Sequence, residues 1–131
     1  MTKAKPARSR KVKETSAKYI VSGGESAINL LAKRIPFSAA KIAAFCKRWK
    51  ISEFSLFGSV LREDFRPDSD VDVLVSFHEQ AGWSLWDLID MQEELESMFG
   101  RKVDLVEKEA LRNPYRRHSI LNGREVVYAS N

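Results

Sequence analysis

GSVLREDFRPDSDVDVLV, residues 58–75, sets a glycine-serine pair ten residues ahead of an Asp-x-Asp pair, and its pattern decides how the chain folds. In DVDVLVSF, residues 70–77, Val71, Val73 and Val75 fall on one face and Asp70, Asp72 and Leu74 on the other, the period of a half-buried strand. Just upstream, ISEFSLFGS alternates Phe54, Leu56 and Gly58 against Ser55, Phe57 and Ser59, which predicts a second strand that stops at glycine. The stretch between, Val60 to Ser69, is polar and contains Pro67, so it reads as a loop with room for one short helical turn.

Working outward, SAAKIAAFCKRWK (38–50) repeats Ile42, Phe45 and Trp49 at helical spacing, with Ala39 and Cys46 alongside and Ser38 as a cap. Before it, Gly23 and Gly24 break the pattern after YIVS, and Glu25 to Arg34 has room for a turn or two of helix. After Gly82, the segment from Ser84 to Phe99 places Leu85, Leu88, Ile89, Gln92, Leu95 and Phe99 on one predicted helical face, with Gly100 as its stop. By the same reading Trp86 belongs to the core and Trp83, beside Gly82, is exposed at a partner contact. RKVDLVE follows as a short strand, PYRRHSILNG as a helix with Pro114 in its first turn, and EVVYA as a last strand. This order predicts an α/β (α+β) domain, a small mixed β-sheet covered by helices.

At 131 residues the chain holds one compact domain, expected over 25–131. The net charge of +4 suggests nucleic acid until it is divided. Residues 1–18 hold seven Lys/Arg and a single acid, Glu14, for +6, and the remainder sums to −2. The basic character therefore belongs to a tail, 1–24, too poor in apolar residues to offset its ordering entropy; it offers at most a weak nucleic-acid tether. No apolar run approaches the roughly 20 residues of a membrane span, and no secretory leader is visible, so the expected location is cytoplasmic. Cys46, in AAFCKRW, reads as a packing residue. His78 and His118 lack partners at metal-ligand spacing. Arg112, Arg116 and Arg117 line the short helix, where a solvated face is favoured over a contact with nucleotide or an acidic partner.

Asp70 and Asp72, two apart on a strand, leave the same face about 7 Å apart along it, near enough to converge on one ion. Crowded like charges without a cation would repel and raise at least one pKa. Asp104, in KVDLV, lies opposite Val103 and Leu105, so an adjacent strand can bring a third carboxylate to the same spot. Hard oxygen ligands of this kind, together with substrate phosphates, suit Mg²⁺. Gly58 lets a backbone approach a phosphate, and the Ser59 hydroxyl can donate to it.

GSVLREDFRPDSDVDVLV resembles the Gly-Ser, ten residues, Asp-x-Asp signature of the DNA polymerase beta superfamily of nucleotidyltransferases. Its SDVDVLV portion is similar to the minimal nucleotidyltransferases encoded beside HEPN-domain partners, and the similarity runs on through GRKVDLVEKEALRN to VVYA. The resemblance implies a polymerase beta-like nucleotidyltransferase fold in which Gly58 and Ser59 hold phosphates and Asp70, Asp72 and Asp104 bind Mg²⁺, two ions in all. Arg62 would neutralise triphosphate charge, although Glu63 stands where many relatives have glycine. The implied activity is transfer of AMP from ATP to a hydroxyl, a tyrosine, of a HEPN ribonuclease toxin, with this chain as the antitoxin. The alternatives are transfer to a small molecule such as an antibiotic, and a module that masks its partner without catalysis.

Overall fold

A computed structural model describes residues 32–36, 38–62 and 65–130. The tail, the YIVS segment and most of the Glu25–Arg34 stretch lie outside the described residues; residues 32–34 are helical.

Helix α1 (Ala39–Arg48) starts where Ser38 Oγ accepts from the Lys41 amide, and it ends with Lys47 and Arg48 facing the negative end of its dipole. It buries Ile42, Ala43, Phe45 and Cys46. Lys50, at φ 57°, reverses the chain into strand β1 (Ile51–Phe57). A 3₁₀ turn at Gly58–Leu61 and an irregular stretch lead to β2 (Val71–Phe77), antiparallel to β1 with Phe54 opposite Val75 and Phe57 opposite Asp72.

Helix α2 (Leu85–Phe99) opens on a capping box, Ser84 accepting from the Asp87 amide while the Asp87 carboxylate accepts from Ser84, and closes on Gly100 in the left-handed region. It carries the crossover to β3 (Val103–Glu107), parallel to β2. Helix α3 (Pro114–Gly123), capped by Asn113, leads to β4 (Glu125–Ala129), antiparallel to β1. The mixed sheet thus runs β3-β2-β1-β4.

The alternation in β2 sorts the layers. Val71, Val73 and Val75 pack with Phe54, Leu56 and Val103 against Ile42 and Phe45 of α1 and Met91, Leu95 and Phe99 of α2. On the opposite face Leu74 and Phe57 pack with Leu111 and Ile120, so α3 covers that side. Each fully buried Leu, Met or Phe contributes about 1.5–3 kcal/mol of transfer free energy, and the larger cluster dominates.

The face expected for α2 needs correcting. Met91, Leu95 and Phe99 are buried with Leu88 beside them, whereas Leu85 is 69% exposed and Ile89 also faces solvent. The inward stripe is therefore rotated by roughly 50° from the expected one, at 100° per residue. The two tryptophans also exchange the roles expected of them. Trp86 is 75% exposed, while Trp83 packs edge-on against Trp49 at 5.1 Å and donates from Nε1 to the Trp49 carbonyl. Trp83 precedes the helix and folds back over the end of α1, where its indole N–H finds a partner. No described helix is long and apolar enough to cross a membrane.

Candidate functional site

Gly58 and Asp72 meet at the end of the β1–β2 pairing. Gly58 adopts φ 77°, a conformation that L side chains rarely take, and a Cβ built there would stand 2.1 Å from Asp72 Oδ2. The Asp72 carboxylate therefore lies directly over the glycine Cα, which explains why this position admits no side chain. Beyond it the 3₁₀ turn is held from outside: Arg34 Nη1 donates to the Val60 carbonyl at 2.7 Å and also to that of Arg62, and the Arg62 amide donates to the Ser59 carbonyl at 2.9 Å.

The lead-in to Asp70 is fixed just as firmly. The Arg66 amide donates to Ser69 Oγ, and Arg101 Nη1 donates to the carbonyls of Arg66 and Ser69 at 3.0 and 3.1 Å. The Arg101 guanidinium also stacks over the Phe65 ring. One residue later the Val71 amide donates to the Lys102 carbonyl and the β2–β3 ladder begins. In that ladder Asp72 is directly opposite Asp104, while Val71 pairs with Val103 and Val73 with Leu105 in the core. Asp72 and Asp104 consequently leave the same face of the sheet, away from α1 and α2.

Electrostatics agree with this placement. Partial burial pushes the Asp72 carboxyl above the usual carboxylate range, and the negative charges of Asp104 and then Asp70 push it the same way. Arg62 and Arg116 oppose the rise. Five of the charged groups that meet here thus come from four places in the chain: Asp70 and Asp72 at β2, Asp104 on β3, Arg62 after the turn, and Arg116 on α3.

A cavity of about 360 Å³ adjoins the turn, lined by Phe57, Gly58, Leu61, Arg62, Ser119, Ile120 and Gly123. Neither it nor a larger one of about 450 Å³, around His78, Trp83 and Glu107, is lined by the three aspartates themselves. Chemistry favours the smaller, which combines apolar walls, a positive-φ glycine and an arginine beside acids. The repulsion among the carboxylates suits a divalent cation. Among the described residues no three His, Cys, Asp or Glu side chains stand in a ready-made ligand cluster. Such a set still fits Mg²⁺, which is commonly held by one or two carboxylates completed by substrate phosphates and water.

Arg116, Ser119 and Gly123 lie beyond the reach of the sequence signature. The arginines of α3 are visible in the sequence as a basic helix, but only the fold shows that Arg116 faces Asp72 while Arg117 Nη1 is engaged by the Lys108 carbonyl at 2.9 Å. The histidines stay outside the site, His118 meeting Asn122 and His78 approaching Ser130. Cys46 is fully buried, and desolvation pushes its thiol well above the ordinary range.

Residues 40–127 match the nucleotidyltransferase domain family. The protein adenylyltransferase MntA of Thermococcus cleftensis is 40% identical over 82 residues, 63% of this chain and 78% of that protein. A Methanocaldococcus jannaschii protein named as a protein adenylyltransferase is 36% identical over 74 residues, 56% of this chain and 74% of its own length. Among solved structures, one described as a minimal nucleotidyltransferase is 31% identical, with a TM-score of 0.58 over 79% of this chain and 98% of that one. A toxin-antitoxin complex with AMP-PNP contains a chain of the same fold, with a TM-score of 0.60 at 18% identity over 72% of this chain and 76% of that one. With the family matched across both the Gly-Ser turn and all three aspartates, the chain belongs to the nucleotidyltransferases, as a minimal member of the kind to which the protein adenylyltransferases belong.

Proposed function

We propose that this enzyme transfers AMP from ATP to a tyrosine hydroxyl of a HEPN-type ribonuclease toxin, in a Mg²⁺-dependent reaction, and so acts in the cytoplasm as the toxin's antitoxin. The observation that carries the reading is the pairing of Asp104 with Asp72 directly above the Gly58 Cα. It supports a site in which carboxylates gather over the glycine of a turn whose neighbouring backbone amides and Ser59 hydroxyl can meet a triphosphate. The names of the relatives supply the acceptor class, since nothing in the site itself selects a protein hydroxyl.

In this reading Gly58 and Ser59 receive the terminal phosphates, the glycine by permitting close approach and the serine by donating from its hydroxyl. Arg62 and Arg116 offset their charge. Asp70, Asp72 and Asp104 hold Mg²⁺, which when bound neutralises the triphosphate and stabilises charge on the entering and leaving oxygens. Asp104, exposed at the sheet edge, accepts the proton of the incoming hydroxyl. The protein contributes position and charge and needs no nucleophile of its own. The catalytic unit in this proposal is residues 25–131, with the basic tail as an appendage.

The test is incubation with radioactive ATP, Mg²⁺ and the product of the neighbouring gene. The partner should become radiolabelled, and replacing both Asp70 and Asp72 with alanine should abolish the label. Neutralisation of the partner that survived that double replacement would show that the chain acts by masking instead.

A further inference from the structure

Tyr115 is 85% exposed, an unusual position for a large aromatic ring beside a ligand cavity. It occupies the first turn of α3, between the Asn113 cap and Arg116, the residue whose charge reaches Asp72. Four residues on, and therefore on the same side of the helix, Ser119 lines the cavity next to Gly58 and Arg62. Side chains on a helix lean toward its N-terminus, so the phenol extends from the first turn of α3 into solvent. The other described tyrosine, Tyr128, is buried in the core.

We propose that Tyr115 is itself a nucleotidyl acceptor, modified by the site of a second copy of the chain. The inference rests on the AMP-transfer reading above. A phenol turned outward is presented as a partner's hydroxyl would be, and it sits beside its own cleft. Two copies meeting face to face across their clefts therefore bring each Tyr115 toward the other's carboxylates. In the step, Tyr115 Oη forms a bond to the α-phosphorus of ATP while the bond from that phosphorus to the bridging oxygen breaks. Pyrophosphate leaves with the electron pair, and the phenol proton passes to the other copy's Asp104, the group that accepts the incoming hydroxyl's proton in the reading above. The product carries a phosphodiester charge on the neighbour of Arg116, on the side of α3 where Ser119 lines the cavity, so modification hinders the next acceptor.

Purified protein incubated alone with ATP and Mg²⁺ should gain one adenylyl group by intact mass, on the peptide containing Tyr115, at an initial rate rising with the square of protein concentration. Tyr115→Phe should lose that gain while binding ATP as tightly as the parent in a titration. An equimolar mixture of Asp72→Asn, which keeps Tyr115, and Tyr115→Phe, which keeps the carboxylates, should show the gain on the Asp72→Asn copy alone. A gain that persists in Tyr115→Phe, an Asp72→Asn copy left unmodified in the mixture, or weakened ATP binding by Tyr115→Phe would overturn the proposal. Labelling of the HEPN-type partner without self-modification overturns it and leaves the AMP-transfer reading standing; absence of both labels rejects the two together.

Discussion

Gly58 and Asp72 show how much of the chemistry depends on single atoms. Adding one methyl group in Gly58→Ala drives Cβ into the Asp72 carboxylate and forces a positive φ on an L residue. A misplacement of about 1 Å in a reacting group can cost about 100-fold in rate, so nucleotidyl transfer should fall by at least that factor. Stability should drop by only about 1–2 kcal/mol, the strain of one left-handed residue, and circular dichroism beside initial rates would separate the two effects. Asp72 itself should show the opposite balance. Its folded-state pKa is raised, so ionisation costs stability; that cost appears as pH rises from the ordinary carboxylate range through the raised value. Asp72→Asn should therefore melt a few degrees above the parent at neutral pH with chelator present, and the gain should vanish at acid pH where Asp72 is protonated in both states. A variant melting at or below the parent at neutral pH would refute this assignment of cause. Asp70, Asp72 and Gly58 were visible in the sequence because local spacing alone brings them out. Arg116 was visible only as one of three arginines for which the sequence favours a solvated face, since no local pattern shows that a helix starting ten residues after Asp104 folds back over the β2 acids.

Among the elements, β2 was fully legible because alternation with period two leaves a single choice of inward face. Helix α2 was legible in extent but not in orientation. Its N-terminal turns offer Leu85, Trp86 and Ile89, and its later turns offer Met91, Leu95 and Phe99; only contact with the sheet decides which stripe is covered. Two substitutions read that decision directly. Trp86→Ser should change stability by no more than about 0.5 kcal/mol, as surface replacements do, whereas Met91→Ala should cost about 2–5 kcal/mol, both measured as urea midpoints. Equal losses at the two positions would place the helix in the wrong rotation. The capping box at Ser84 gives a third value: Ser84→Ala should cost about 1 kcal/mol.

Taken whole, the molecule assembles its site from β1, the 3₁₀ turn, β2, β3 and α3, so ligand occupancy is linked to the cohesion of all of them. Mg-ATP at one hundred times its dissociation constant should stabilise the fold by about 2.7 kcal/mol, read as a rise in melting temperature. The Asp70→Ala, Asp72→Ala double variant should lose that rise while remaining folded. The mixed sheet could be expected from the order of elements, but the sequence left the strand order open. Placing β3 beside β2, and Asp104 opposite Asp72, depends on α2 returning the chain parallel across the sheet, a long-range outcome that neither strand encodes alone.

The burial of Cys46 has a practical side. Sealed in the core and held in its neutral form, this sulfur will react slowly with thiol reagents, because both access and thiolate are missing. A cysteine introduced at an exposed helix position such as Trp86 can then take a maleimide dye selectively in the otherwise native protein, giving a single-site fluorescence reporter of partner docking.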